Sequence, residues 1–169
     1  ALTPDNIQAL YLQVKPGFNR VNADEVTYPC HVILRYEIEK ALIEGEVEAS
    51  DIPELWNDKM EAYLGLSTKG NYKDGCMQDV HWPSGALGYF PTYTLGAMNA
   101  AQLFWAMQKA LPQVKAQIKT GDFNSLRQWL REKIWSQASV LSIDALMTQA
   151  TGEPLNGKYF ETHLRQRYL

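Results

Sequence analysis

The side chains best suited to chemistry lie in a glycine-rich stretch between residues 70 and 96. Its glycines and prolines require loop conformations as far as Pro91, where a helix is expected to begin. One imidazole and two phenols, the phenols one helical turn apart, could donate hydrogen bonds to a peptide carbonyl or to a developing oxyanion. These residues are His81, Tyr89 and Tyr93. Under this interpretation the stretch forms a substrate site.

A second interpretation treats the same stretch as core packing. Trp82, Tyr89 and Phe90 would then fill the core beneath a long loop. His81 would be hydrogen-bonded to Asp79 or to the backbone. This interpretation explains the aromatic residues but gives the polar groups no role, and residue types alone favour neither alternative.

A predicted helix that begins near Thr27 carries the second group of candidate residues. At about 100° per residue, His31 and Arg35 share a narrow polar stripe opposite an apolar face. Arg35 could face a cleft and hold a carboxylate through two parallel hydrogen bonds. It could instead form a surface ion pair with Glu39, which would be worth roughly a few tenths of a kcal/mol. The face expected to be buried consists of Val26, Cys30, Ile33, Leu34 and Ala41.

Composition limits the classes of function. The chain has 169 residues, of which 46% are hydrophobic and 21% charged, as in a soluble globular protein with a sizeable core. The net charge of −3 gives no basic footprint for nucleic acid, and no apolar run is long enough to cross a membrane. Three scattered histidines argue against a His-rich metal site, and two cysteines outside any CxxC pair fit a reducing compartment. We therefore expect a cytoplasmic protein.

Helical periodicity runs along the chain, without strand-length alternation of apolar and polar residues, so the predicted fold class is all-α. One helix is expected to begin at a capping box formed by Asp51 and Glu54 and to end at Gly65. No repeat or linker interrupts the pattern, and residues 1–169 are expected to form a single helical segment. Three later helices are expected to be capped by Asp122, Ser142 and Asn156.

Several motifs together resemble the C-terminal part of the M32 family of zinc metallocarboxypeptidases. The pattern GxxQDxHW is matched at every fixed position over residues 75–82, and the patterns DE-TY and LRYE are intact. The sequence IWSQAS at 134–139 departs from the more usual IHxxG. The similarity covers nearly the whole chain, in segments 20–46, 51–66, 75–104 and 151–169.

The resemblance implies a largely helical, gluzincin-like cleft enzyme, cytosolic and commonly homodimeric, that removes single residues from peptide C-termini. Zinc in this family is held by an HExxH motif and a downstream HES motif. Neither motif occurs in this sequence. We therefore expect the chain to be the C-terminal fragment of such an enzyme, to contain no zinc ligands and to be inactive alone. The alternative is a standalone helical module that binds peptide C-termini without cleaving them.

Individual roles follow from the resemblance by position. Arg35 matches the arginine thought to bind the terminal carboxylate of the substrate, and His81 matches a histidine that contacts the substrate backbone. Tyr93, with Tyr89 beside it, matches tyrosines that stabilise the tetrahedral intermediate. The remaining motif residues assigned to substrate binding are Gln78, Asp79 and Trp82.

Overall fold

The computed structural model describes residues 2–169, and within that range all regular structure is helical. The all-α prediction is therefore confirmed. The chain divides into two compact units, Ala1–Thr94 and Leu95–Leu169. The α-helices are α1 (Pro4–Tyr11), α2 (Tyr28–Ile43), α3 (Ile52–Leu64), α4 (Pro91–Ala110), α5 (Val114–Lys119), α6 (Asn124–Lys133), α7 (Ile143–Thr151) and α8 (Lys158–Tyr168). No helix within residues 2–169 is both long and apolar enough to span a bilayer.

The first unit is built on the packing of α2 against α3. Helix α2 begins after Thr27, as predicted, and the Asp24 carboxylate accepts hydrogen bonds from the Thr27 amide (2.9 Å) and hydroxyl (3.0 Å). This arrangement satisfies backbone groups that the start of a helix leaves unpaired. The core between the helices consists of Leu34, Ile38, Trp56, Met60 and Leu64.

The buried face of α2 differs from the predicted one. Leu34 is buried as expected, but Ile33 is 44% exposed, whereas His31 and Arg35 are fully buried. The expectation that the polar stripe faces solvent or a cleft is therefore wrong. The stripe can be buried because the segment between α3 and α4 supplies a carboxylate, Asp79, that pairs with Arg35.

Helix α3 begins after Asp51 and ends before Gly65, as predicted, but its start is capped differently. It ends at Gly65, whose φ of 68° is readily adopted by glycine. The capping box joins Glu48 and Asp51 across a short 3₁₀ turn, so the predicted box between Asp51 and Glu54 is wrong. Because that turn gives Asp51 a helical backbone, its side chain does not cap α3.

The later helices begin close to the predicted residues. The Ser142 hydroxyl accepts a hydrogen bond from the Ala145 amide (3.3 Å) and caps α7, as predicted. Helices α6 and α8 begin two residues after Asp122 and Asn156. The side chains of these two residues accept hydrogen bonds from the backbone amides of Asn124 (3.0 Å) and Lys158 (3.1 Å).

The second unit is held together by apolar packing and by one buried amide. Met107, Val114 and Trp129 form its core. The fully buried Gln102 donates a hydrogen bond to the Thr151 hydroxyl (2.8 Å) and accepts one from the Asn156 amide (2.8 Å). These contacts fix the turn that joins α7 to α8.

Ala138 has a backbone conformation that suits glycine. It follows the 3₁₀ turn Trp135–Gln137, with φ 45° and ψ −127°, and occupies the position of the glycine in the pattern IHxxG. We expect Ala138→Gly to raise the free energy of unfolding by about 1 kcal/mol, because relieved strain exceeds the added entropy loss of glycine. Urea denaturation measures the change.

The matched control is Ala116→Gly within α5, where the alanine is exposed. It should lower the free energy of unfolding by about 1 kcal/mol, as glycine does within helices. A loss of stability at both positions would show that the backbone at Ala138 is not strained.

Candidate functional site

Three of the predicted residues come together where the α3–α4 loop (residues 65–90) meets the start of α4. The Nε2 atom of His81 lies 2.9 Å from the Tyr93 hydroxyl, within hydrogen-bond distance. The rings of Tyr89 and Tyr93 meet edge to face with centroids 5.3 Å apart. Tyr89 is 49% exposed, and its hydroxyl makes no hydrogen bond within residues 2–169. The structure therefore groups these side chains, whose catalytic role stays a prediction.

The core-packing interpretation of the glycine-rich stretch is correct for some of its aromatic residues and wrong for Tyr89. Phe90 is buried, and the ring of Trp82 packs edge to face against that of Phe90 at 5.9 Å, as core packing predicts. Tyr89 instead extends into solvent. The Nδ1 atom of His81 lies 3.8 Å from Asp79 Oδ1, too far for a hydrogen bond, so the predicted bond between these residues is absent.

A carboxylate between two guanidinium groups lies in the same unit. The Nε and Nη2 atoms of Arg20 donate to Asp79 Oδ1 at 3.2 and 2.9 Å. On the other side, Arg35 Nε donates to Oδ2 at 2.7 Å, and Arg35 Nη2 lies 2.6 Å from the same oxygen. Two cations therefore share one anion, which leaves this cluster with a surplus of one positive charge.

The ionisation of the cluster follows from its burial and its charges. Burial alone would raise the pKa of the Asp79 carboxyl, but the charge of Arg35 and the hydrogen bonds from both arginines hold it below its usual value. Burial also lowers the pKa of Arg35 to about 10, against the opposing effect of Asp79. All three groups are therefore charged at neutral pH.

Arg35 occupies the interior of this cluster. Its side chain is fully buried, its Nη1 donates to the His31 carbonyl oxygen (2.7 Å), and its guanidinium stacks 4.4 Å from the Trp56 ring centroid. Glu39 does not pair with it, since that carboxylate accepts hydrogen bonds from the α3–α4 loop. The role of Arg35 in substrate binding stays a prediction.

Arg20 is the site residue that sequence reasoning missed. Its side chain is 10% exposed, its Nη1 donates to the Tyr28 hydroxyl (3.0 Å), and its guanidinium carbon lies 4.9 Å from the Tyr93 ring centroid. The available sequence signal was its place as the first residue of the matched segment 20–46. That signal was weak because Arg20 precedes α2 and lies on a 3₁₀ turn, outside any helical pattern.

Gln78 and Trp82 have their polar groups engaged within the protein. The Gln78 side chain accepts from the Arg20 amide (3.0 Å) and donates to the carbonyl oxygens of Phe18 (3.0 Å) and Asp74 (2.8 Å). Trp82 Nε1 donates to a carboxylate oxygen of Glu39 (2.7 Å). Both residues hold the α3–α4 loop in place, and their predicted contact with substrate stays untested.

The buried imidazole of His31 is expected to make the stability of the fold depend on pH. Burial, and then the charge of Arg35, lower its pKa from 6.5 to about 4; Arg20 adds to this effect, whereas Asp79 and a backbone hydrogen bond involving Gly17 oppose it. The unfolded chain therefore takes up a proton first as the pH falls. We expect this group to destabilise the fold progressively between pH 6.5 and 4, by up to roughly 3 kcal/mol.

The measurement is urea denaturation of wild type and His31→Gln across that pH range. The variant should lose less stability than wild type on acidification, because it has no imidazole to protonate. An identical pH dependence in the two proteins would contradict the assignment to His31.

Potential metal ligands are not clustered in the described part of the chain. Within residues 2–169, no group of three or more histidine, cysteine, aspartate or glutamate side chains could hold a metal ion.

The sequence matches the family model described as "Carboxypeptidase Taq (M32) metallopeptidase" over residues 3–168. The chain belongs to the M32 family. It is 38% identical to thermostable carboxypeptidase 1 of Pyrococcus furiosus over 99% of its length, and 46% identical to carboxypeptidase 1 of Bacillus subtilis over 91%. These alignments cover 33% and 30% of the two relatives, so the chain spans about a third of the M32 proteins it matches.

Solved M32 structures have the same fold. Metallocarboxypeptidase 1 of Trypanosoma cruzi superposes with a TM-score of 0.95 at 49% identity, covering 98% of this chain and 35% of that protein. The P. furiosus carboxypeptidase also gives a TM-score of 0.95, at 38% identity, covering 99% and 34%. The helices of this chain therefore correspond to a helical portion of an M32 carboxypeptidase.

Proposed function

We propose that this chain is the C-terminal part of a metallocarboxypeptidase and supplies the side of its cleft that binds the substrate carboxylate and stabilises the oxyanion. The reaction is hydrolysis of the last peptide bond of a peptide with a free C-terminus. The observation that carries the proposal is the surplus positive charge of Arg20, Asp79 and Arg35 beside two tyrosines and a histidine. Membership of the M32 family supports the same reaction class.

The terminal carboxylate of a peptide would neutralise the surplus charge. Arg20 is the better placed of the two arginines to contact it, because its side chain is 10% exposed whereas that of Arg35 is fully buried. The resemblance assigns this role to Arg35. In this proposal Arg35 would act indirectly, by holding Asp79 in place and adding its positive charge to the cluster. A charge-assisted hydrogen bond of this kind is worth about 1.5 to 3 kcal/mol.

The tyrosines and the histidine would act on the adjacent peptide carbonyl. The Tyr93 phenol would donate a hydrogen bond to the oxygen as negative charge develops on it, and His81 would orient that phenol. The exposed hydroxyl of Tyr89 would supply a second donor.

Several properties of the whole enzyme are proposed from the resemblance alone. A divalent metal, zinc in this family, would be held by the HExxH and HES motifs of the N-terminal part of the same protein. The roles proposed for this chain itself are binding the carboxylate and stabilising the oxyanion. From the resemblance we also propose that the whole enzyme is cytoplasmic and forms a homodimer.

The test compares peptides with free and amidated C-termini as substrates of the full-length protein. We expect release of single residues from the free peptide and none from the amide. Arg20→Met should raise KM for the free peptide about 10- to 100-fold, because it removes a charge-assisted contact. The control Arg127→Met, on α6, should leave KM unchanged.

Two outcomes would overturn the proposal. Equal cleavage of the amidated peptide would exclude recognition of a terminal carboxylate. Binding of the free peptide without cleavage would indicate instead a non-catalytic module that binds peptide C-termini.

The chain of 169 residues is expected to be inactive when expressed alone.

A further inference from the structure

We infer that Glu39 is a positioning residue for the proposed oxyanion site, acting by clamping the loop that carries His81 and Tyr89. The inference rests on the proposed function and adds a residue to which the resemblance assigns no role. Glu39 lies on α2 and is only 4% exposed. Its effect on the reaction would be indirect, since its carboxylate contacts the loop and neither tyrosine.

The Glu39 carboxylate binds the loop at two points. One oxygen accepts a hydrogen bond from Trp82 Nε1 at 2.7 Å, and the other accepts one from the backbone amide of Gly88. The loop closes on itself at the first of these points, because the Ala86 amide donates to the His81 carbonyl oxygen at 2.8 Å. The carboxylate therefore holds the loop against α2 at Trp82, within this turn, and at Gly88, two residues beyond it.

The two clamped residues are the chain neighbours of the candidate catalytic residues. Trp82 follows His81 directly, and Gly88 directly precedes Tyr89. The His81 and Tyr89 rings lie with centroids 5.7 Å apart. A change at either clamp point would therefore move an imidazole or a phenol relative to Tyr93, and misplacement by about 1 Å can lower a rate about 100-fold.

The clamp requires two acceptor atoms on one side chain. A carboxylate provides an acceptor oxygen to each N–H group, whereas glutamine would direct its own N–H₂ group towards one of them. The opposed donors would leave a buried N–H unsatisfied and release that end of the loop. No cation within residues 2–169 pairs with Glu39, so its hydrogen bonds go to the loop.

Glu37 offers a matched comparison on the same helix. Its carboxylate also accepts two hydrogen bonds, from Lys59 Nζ and from the Tyr63 hydroxyl, both at 2.7 Å. Both donors belong to α3. Glu37→Gln therefore removes a carboxylate that also accepts two hydrogen bonds but is more exposed, at 35%, without touching the α3–α4 loop.

The experiment measures kcat, KM and amide hydrogen exchange of residues 80–93 in the full-length enzyme and the two glutamine variants. We expect Glu39→Gln to lower kcat about 10- to 100-fold, to change KM less than about threefold and to accelerate exchange in the loop. Glu37→Gln should keep kcat within about twofold of wild type, with unchanged exchange. If Glu39→Gln does not fold, Trp82→Phe removes one of the two bonds and should lower kcat in the same direction.

The value of kcat reports on the reaction, and amide hydrogen exchange reports on whether Glu39 holds the loop. Faster exchange in Glu39→Gln with kcat within about twofold of wild type would overturn the positioning role, as would a lower kcat with unchanged exchange. An inactive wild-type protein would refute the proposed function. Exchange in the loop would then still show whether Glu39 holds it, and unchanged exchange would refute the clamp.

Discussion

Replacing Tyr93 with phenylalanine in the full-length protein is expected to lower kcat about 100- to 1,000-fold with little change in KM. The phenol lies 2.9 Å from His81 Nε2 at the proposed oxyanion position. Removing one preorganised oxyanion donor typically costs about this much in kcat. The loss falls on kcat because the hydrogen bond strengthens only as negative charge develops. Steady-state kinetics with a free-C-terminus peptide measures both constants.

Two further variants decide what a loss would mean. Tyr89→Phe tests the neighbouring phenol, and a large loss there with none in Tyr93→Phe would exchange the roles of the two tyrosines. Tyr63→Phe removes a phenol on α3 that donates a hydrogen bond to Glu37 on α2, and it should leave kcat unchanged. Wild-type kcat in both Tyr93→Phe and Tyr89→Phe would refute the assignment of an oxyanion site.

Asp79→Asn is expected to lower the free energy of unfolding by about 3 to 5 kcal/mol. The substitution leaves the guanidinium groups of Arg20 and Arg35 facing a neutral amide, although the Asp79 side chain is only 10% exposed and Arg35 is fully buried. Removing one partner of a buried ion pair leaves an uncompensated charge, which is strongly destabilising. Urea denaturation near neutral pH measures the change.

The comparison variant is Glu37→Gln, which breaks a hydrogen-bonded ion pair with Lys59 at 2.7 Å. Those side chains are 35% and 27% exposed, so the expected loss is below about 1 kcal/mol. Adding Arg35→Met to Asp79→Asn should restore part of the lost stability, because it removes one of the two unpaired cations. Equal losses in Asp79→Asn and Glu37→Gln would show that the buried cluster contributes no more than a surface pair.

Local interactions made much of the fold predictable. Helices ending at Gly65 and beginning at Ser142 follow from backbone and capping preferences that act over a few residues. The grouping of His81, Tyr89 and Tyr93 was predictable for the same reason, since one loop and the first turn of α4 carry all three.

Which surroundings the His31 and Arg35 side chains of α2 have could not be predicted from the sequence and depends on the tertiary structure. The helical pattern of His31 and Arg35 is the same whether their stripe faces solvent, a cleft or the interior. The outcome depends on Asp79, which lies 44 residues from Arg35 and 59 from Arg20. Helical periodicity describes neighbours within a few turns and carries no information about which distant segment covers a face. Short-range patterns therefore predicted the helices, the family resemblance and the tyrosine-bearing loop, whereas the folded loop left Arg35 fully buried and the Arg20 side chain 10% exposed.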